Sequence, residues 1–166
     1  MQRRTWLTVG AFLLLAGGTA VTACASDTTD AVETGKITCF AVSDLPQDAV
    51  RVEVSLKEWA IEMSSTTIKA GNVGFVATNG GTMLHEMLVV RVDDPANLPY
   101  APEGSVNEDA IPAADVLGEI AEFAAGTTCA HNFSLTPGHY VLFCNIAEGD
   151  VVHLQRGMLA PFTVTA

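Results

Sequence analysis

Basic residues are scarce in this chain. Only 8 Lys and Arg stand against 19 Asp and Glu in 166 residues, a formal net charge of −11. That deficit excludes nucleic acid and anionic membrane surfaces as electrostatic partners, because the phosphate contacts that dominate such binding need cations. It leaves a cationic partner or plain solubility. Cysteine is sparse too, with 4 in all, while 49% of the residues are apolar. A core of ordinary size therefore forms without a dense disulfide framework. Internal repeats and low-complexity arrays are missing, and the length fits one domain behind a leader. Histidine is limited to His85, His131, His139 and His153, so any imidazole-based site must draw on these four.

The leader is the first positive feature. Arg3 and Arg4 are followed by an apolar run from Trp6 to Ala20, then by small residues up to Cys24. This is the pattern of an export signal. Val21-Thr22-Ala23-Cys24 resembles the lipobox of bacterial lipoproteins, with Val21 where leucine is commoner. The resemblance implies cleavage after residue 23 and a lipidated Cys24 that anchors the protein outside the cytoplasm. The other reading is a retained membrane anchor, since the run approaches the roughly 18 residues a span needs. Arg3-Arg4 is also compatible with a twin-arginine signal. Loss of the leader removes two cations and no acids, which takes the net charge to −13. Residues 24–36 are polar and lack periodicity, as in a flexible tether, and residues 37–166 form the domain. Cys39 and Cys129 are expected to pair in an oxidising compartment.

Within the domain, Val50, Val52, Val54 and Leu56 alternate with polar residues, a period of two that predicts a strand. After Glu58 the apolar positions shift to Trp59, Ile61 and Met63. A bulge or a bend in one long strand accounts for that shift. Asn79-Gly80-Gly81 is a strong turn signal, and a strand from His85 to Val92 follows it. The proline-bearing stretch from Asp93 to Pro112 reads as an irregular excursion. Val116, Leu117, Ile120, Phe123 and Ala124 have helical spacing with Gly126 as a stop, an extended edge segment being the second choice. Cys129, His131, Phe133 and Leu135 share one face of a strand. Strands ending at Cys144 and running from Leu159 to Val164 close the domain. Seven or so short strands predict an all-β, antiparallel Greek-key β-sandwich with an inserted loop and short-helix region.

The chemistry gathers at the C-terminal end. Cys144 ends a strand, eight residues separate it from His153, and four more separate His153 from Met158. His85 supplies a second imidazole. Two imidazoles, a thiolate and a weak thioether form the ligand set of a blue-copper electron-transfer site. Met83 and Met87 flank His85 as alternative axial ligands, although packing suits them better. His131 and His139 are read as non-ligands. From Val50 to Ala166, the order of strand, His85, long interval, Cys144, His153, Met158 and final strand resembles the cupredoxin family. The family's Pro-Gly-x-Tyr run into the cysteine is matched within Leu135 to Asn145. The resemblance implies one type 1 copper ion held by His85, Cys144, His153 and Met158. It also implies partner docking on an apolar patch around His153, with Leu154, Leu159, Pro161, Met83 and Leu84 as neighbours. Glu86, where many members carry Asn, departs from the pattern.

Three other functions were weighed against an electron carrier. The Cys-to-Met spacing resembles that of copper nitrite reductases, but those enzymes place a catalytic-copper histidine directly before the cysteine, where this chain has Phe143. An enzyme is therefore not expected. A copper-delivery protein of the same fold differs in releasing its metal instead of cycling it. A cupredoxin-like module without metal is disfavoured by the complete ligand set. The sequence is silent on oligomeric state, and redox proteins with a basic docking face are the expected partners.

Overall fold

The computed structural model describes Lys36, Ile37 and residues 39–166. The expected leader, Cys24 and the expected tether as far as residue 35 lie outside the described residues. The strands are β1 (Lys36–Ile37), β2 (Val50–Lys57), β3 (Ala60–Met63), β4 (Thr67–Lys69), β5 (Gly71–Asn79), β6 (His85–Arg91), β7 (Val116–Phe123), β8 (Thr128–Leu135), β9 (Gly138–Phe143), β10 (Ala147–Glu148), β11 (Val151–Val152) and β12 (Leu159–Thr165). A single turn of helix, α1 (His153–Arg156), precedes β12.

Two sheets make the sandwich, one in the order β1-β7-β6-β9-β12-β4 and the other β3-β2-β5-β8. Most neighbours are antiparallel, and β1·β7, β2·β5 and β4·β12 are the parallel pairs. The expected sandwich is present. Alternation along β2 buries Val52, Val54 and Leu56 while Arg51 and Glu53 face solvent. Aromatic rings pack the core: Phe75 of β5 meets Phe162 of β12 across the two sheets with centroids 5.7 Å apart, and Tyr140 of β9 stacks on its sheet neighbour Phe162 at 5.4 Å. Edge-to-face and offset contacts of this kind add to the area buried. The Tyr140 hydroxyl donates to the Thr136 carbonyl at 2.8 Å, so the buried ring keeps its polar end satisfied.

Two expectations need correction. The phase shift after Glu58 is not a bend in one strand. Lys57 pairs with Ala60, so β2 and β3 form a hairpin whose tip is Glu58-Trp59. The segment around Val116–Phe123 is strand β7, not a helix, and it lies inside the sheet between β1 and β6. Its pairing with β6 slips between His85 and Met87 and again between Val89 and Val90. Each slip places an extra residue on β7. Two such bulges destroy the period of two and leave apolar spacings that mimic a helix. Gly118 sits in the left-handed region at φ +136°, a conformation glycine accepts most readily.

The excursion from Asp93 to Pro112 is irregular, as expected, with two 3₁₀ turns at Pro95–Asn97 and Glu108–Ala110. Leu98, Val106 and Ile111 turn inward and cover Leu88, Val90, Val141 and Phe143 on the outer face of the first sheet. Cys39 and Cys129 are joined by a disulfide across 90 residues of sequence. It ties the segment entering the domain to β8. Among the described residues, no helix is long and apolar enough to cross a membrane.

Candidate metal centre

The neighbouring strands β6, β9 and β12 bring the expected residues to one end of the sandwich. His85 opens β6, Cys144 follows the last residue of β9, and Met158 precedes β12. Leu88 and Leu159 both pair with Phe143, which sets the three strands in register. The eight residues after Cys144 fold into the small β10–β11 hairpin, where Ala147 faces Val152. That hairpin returns the chain so that His153 N–H donates to the Ile146 carbonyl at 2.9 Å. Met158 N–H donates to the His153 carbonyl at 3.2 Å, and Cys144 N–H donates to the Met158 carbonyl at 3.1 Å. Backbone bonds thus lock Cys144, His153 and Met158 to one another.

The side chains converge. His153 Nδ1 lies 3.3 Å from Cys144 Sγ and 3.3 Å from His85 Nδ1, and His85 Nδ1 lies 4.0 Å from Cys144 Sγ. The two imidazoles meet edge to face with centroids 5.1 Å apart. His85, Cys144, His153 and Met158 are all 0% exposed. Among the described residues, His85, Cys144 and His153 are the cluster of metal-binding type. His131 lies apart on β8 between the rings of Phe40 and Phe133, and His139 is exposed on β9. Met87 is fully buried in the main core and Met83 is half-buried on the loop before β6.

The electrostatics suit a cation. Burial holds both His85 and His153 below the ordinary histidine range, so their ring nitrogens stay neutral and able to donate a lone pair. Burial also pushes the Cys144 thiol up to about 12. A thiolate there is stable only beside a positive charge, which a bound metal supplies. Loss of the thiol proton would free all three groups to direct lone pairs at one point, where a cation would lie. The donor set of two imidazoles, one sulfur and a nearby methionine fits copper better than magnesium or calcium, which prefer oxygen.

Several residues outside the sequence-derived set build the surroundings. Asn79, 0% exposed, donates from Nδ2 to the carbonyls of Met83 at 2.8 Å and Phe123 at 2.9 Å, and accepts from Gly81 N–H at 3.0 Å. The loop before His85 is therefore held from inside. Glu86 departs from the family pattern yet has a defined role: its carboxylate accepts from Asn145 N–H at 2.9 Å, linking β6 to the residue after Cys144. Burial, then the charge of Glu119, raises Glu86 to about 7. Asn145 also donates to the Val106 carbonyl and the Glu108 carboxylate, at 2.9 and 2.7 Å.

His153 does not reach the surface as its expected docking role requires. The Trp59 indole covers it, with centroids 5.2 Å apart, and the Arg156 guanidinium lies 5.9 Å from the indole centroid. Leu154 is buried as well. In sequence, Asn79 is visible only as part of a turn signal and Glu58-Trp59 only as a phase shift.

No family model matches the chain, nor does any curated protein. Solved structures do. A dithionite-reduced auracyanin from the photosynthetic bacterium Roseiflexus castenholzii superposes with TM-score 0.54 at 17% identity, over 71% of this chain and 98% of its own. Auracyanin B gives 0.54 at 23% identity over 80% and 97%. Auracyanin A, described as a "blue" copper protein from Chloroflexus aurantiacus, gives 0.50 at 17% identity over 70% and 99%. At these identities the likeness concerns the fold, which is cupredoxin-like.

Proposed function

We propose that the protein is an electron carrier that cycles one type 1 copper between Cu(II) and Cu(I), with His85, Cys144, His153 and Met158 as ligands. The observation that carries this reading is the convergence of His85 Nδ1, His153 Nδ1 and Cys144 Sγ, all within 4.8 Å of one another, beside the buried Met158. Copper supplies a one-electron couple whose two states accept this mixed donor set. The chain's own contribution is rigidity and exclusion of water. Cys144, His153 and Met158 are cross-linked through the backbone, while Ile146 packs in the same buried apolar cluster as Cys144 and Met158. Donors fixed in this way need move little when the charge of the ion changes. The arrangement serves transfer of an electron.

The compartment and anchor belong to the same proposal. The Cys39–Cys129 disulfide supports an oxidising compartment outside the cytoplasm. The Val21-Thr22-Ala23-Cys24 sequence supports a lipid anchor on Cys24, with residues 24–36 as tether to the domain 37–166. Partners are redox proteins with a cationic face, drawn by the acidic charge.

Loading the metal-free protein with Cu(II) tests the assignment. One equivalent should bind, with the intense visible absorption of a copper–thiolate bond and a reversible one-electron couple. Cys144→Ser should abolish the colour. Met158→Leu should keep copper and colour and raise the potential, because a weak donor is removed. A colourless complex, or one that sheds copper on each reduction, would favour a delivery protein instead.

A further inference from the structure

The tip of the β2–β3 hairpin touches both imidazoles of the site. Glu58 turns its carboxylate toward the loop before β6, where Oε1 accepts from Thr82 N–H at 2.7 Å, Met83 N–H at 2.8 Å and the Thr82 hydroxyl at 3.3 Å. The same oxygen lies 3.7 Å from His85 Nε2. That nitrogen is buried and has no hydrogen-bond partner. It is the ring atom opposite Nδ1, the one that faces Cys144 and His153. On the other side of the tip, Trp59 covers His153, and its carbonyl lies 2.9 Å from where a Cβ on Gly157 would be. Gly81 is equally confined, since a Cβ there would lie 2.7 Å from both Glu58 carboxylate oxygens. Glycines thus let the two histidine-bearing loops close on one hairpin tip.

We propose that Glu58 is a positioning residue for His85: its fixed carboxylate keeps the imidazole proton on Nε2, leaves the Nδ1 lone pair aimed into the site, and favours the more highly charged state of a bound metal. This rests on the copper reading above. The physical reasons are two. A neutral imidazole carries one proton, and an anion facing Nε2 favours the tautomer protonated there. Carboxylates facing the outer nitrogen of ligand histidines also raise their basicity. The negative charge acts through His85 on the ion, and Coulomb attraction grows with the ion's charge, so Cu(II) gains more than Cu(I). Three donors already hold Glu58 in place, so the carboxylate does not have to be reorganised when the metal binds.

Glu58→Gln is the discriminating variant, because the amide oxygen can still accept from Thr82 and Met83 while the charge is lost. Cu(II) affinity, measured against a competing chelator, should fall about tenfold, and Cu(I) affinity should change less. A tenfold loss confined to Cu(II) corresponds to a potential about 59 mV higher. Nitrogen-15 spectra of the metal-free wild type should place the His85 proton on Nε2, and the variant should lose that preference. Amide signals of Thr82 and Met83 report whether the loop is kept. Equal losses for Cu(II) and Cu(I), together with a disordered loop, would overturn the proposal by making Glu58 merely structural. Unchanged affinities, or a wild-type proton on Nδ1, would overturn it as well. If wild-type protein binds no copper, the function proposed above fails, and the tautomer measurement alone decides the role of Glu58.

Discussion

Asn79 shows how much of the site depends on a residue that is not a ligand candidate. Its side chain satisfies two carbonyls and one N–H directly. Truncation would leave Met83 O, Phe123 O and Gly81 N without partners, and each buried orphan costs about 1–3 kcal/mol. Asn79→Ala should therefore lower unfolding free energy by about 2–4 kcal/mol in denaturant titrations of metal-free protein, and copper should dissociate faster as the loop before His85 loosens. A loss below about half a kcal/mol would mean that the loop is held from elsewhere. The same residue marks the edge of what sequence reveals. The gathering of His85, Cys144, His153 and Met158 at one end of the sandwich was legible because few residue types are soft metal donors and their order is constrained by the strands. Asn79-Gly80-Gly81 reads as a turn whether its amide points to solvent or to the core. Glu58 is no easier to find, because its partners come from a loop more than twenty residues away.

At the scale of elements, β8 and β7 behave in opposite ways. β8 keeps its register with β5 over eight residues, Gly71 to Thr78 against Leu135 to Thr128. Cys129, Phe133 and Leu135 are accordingly buried on the face that alternation predicts. β7 is bulged twice, and the periodicity that would reveal it is lost. His131 belongs to the legible strand and gives it a pH dependence. Burial lowers its pKa from the ordinary 6.5, and no other perturbing cause contributes. The unfolded chain therefore takes up the proton first as pH falls. The stability contributed by neutral His131 is present above pH 6.5 and is lost as pH drops from there through the lowered folded value. His131→Gln should flatten the fall in melting temperature on the acid side of 6.5 in metal-free protein. An unaltered profile would show that other groups control acid stability.

For the molecule as a whole, charge and shape make separate demands on a partner. Without the leader, six cations face 19 acids, a field that steers a basic partner from a distance and weakens as salt screens it. Composition alone made that field legible. Where a partner would touch down was not, because the family resemblance implied a surface position for His153 and the fold buries it beneath Trp59. An exposed apolar group beside the site is Leu84, 41% exposed and adjacent to His85, and half-buried Met83 precedes it in the chain. A small interface of this kind suits a carrier that must release quickly. Leu84→Asn, which removes the apolar contact without adding charge, should slow electron transfer to a basic redox partner at least several-fold while leaving the copper spectrum and potential unchanged. Trp59→Ala should slow it too, and should also expose His153 to solvent. Raising ionic strength should lower the association rate of the wild type and of Leu84→Asn in the same proportion, since steering and docking are distinct contributions. Wild-type transfer rates in both variants would place the contact on another face and leave the hairpin tip as a cover for the site alone.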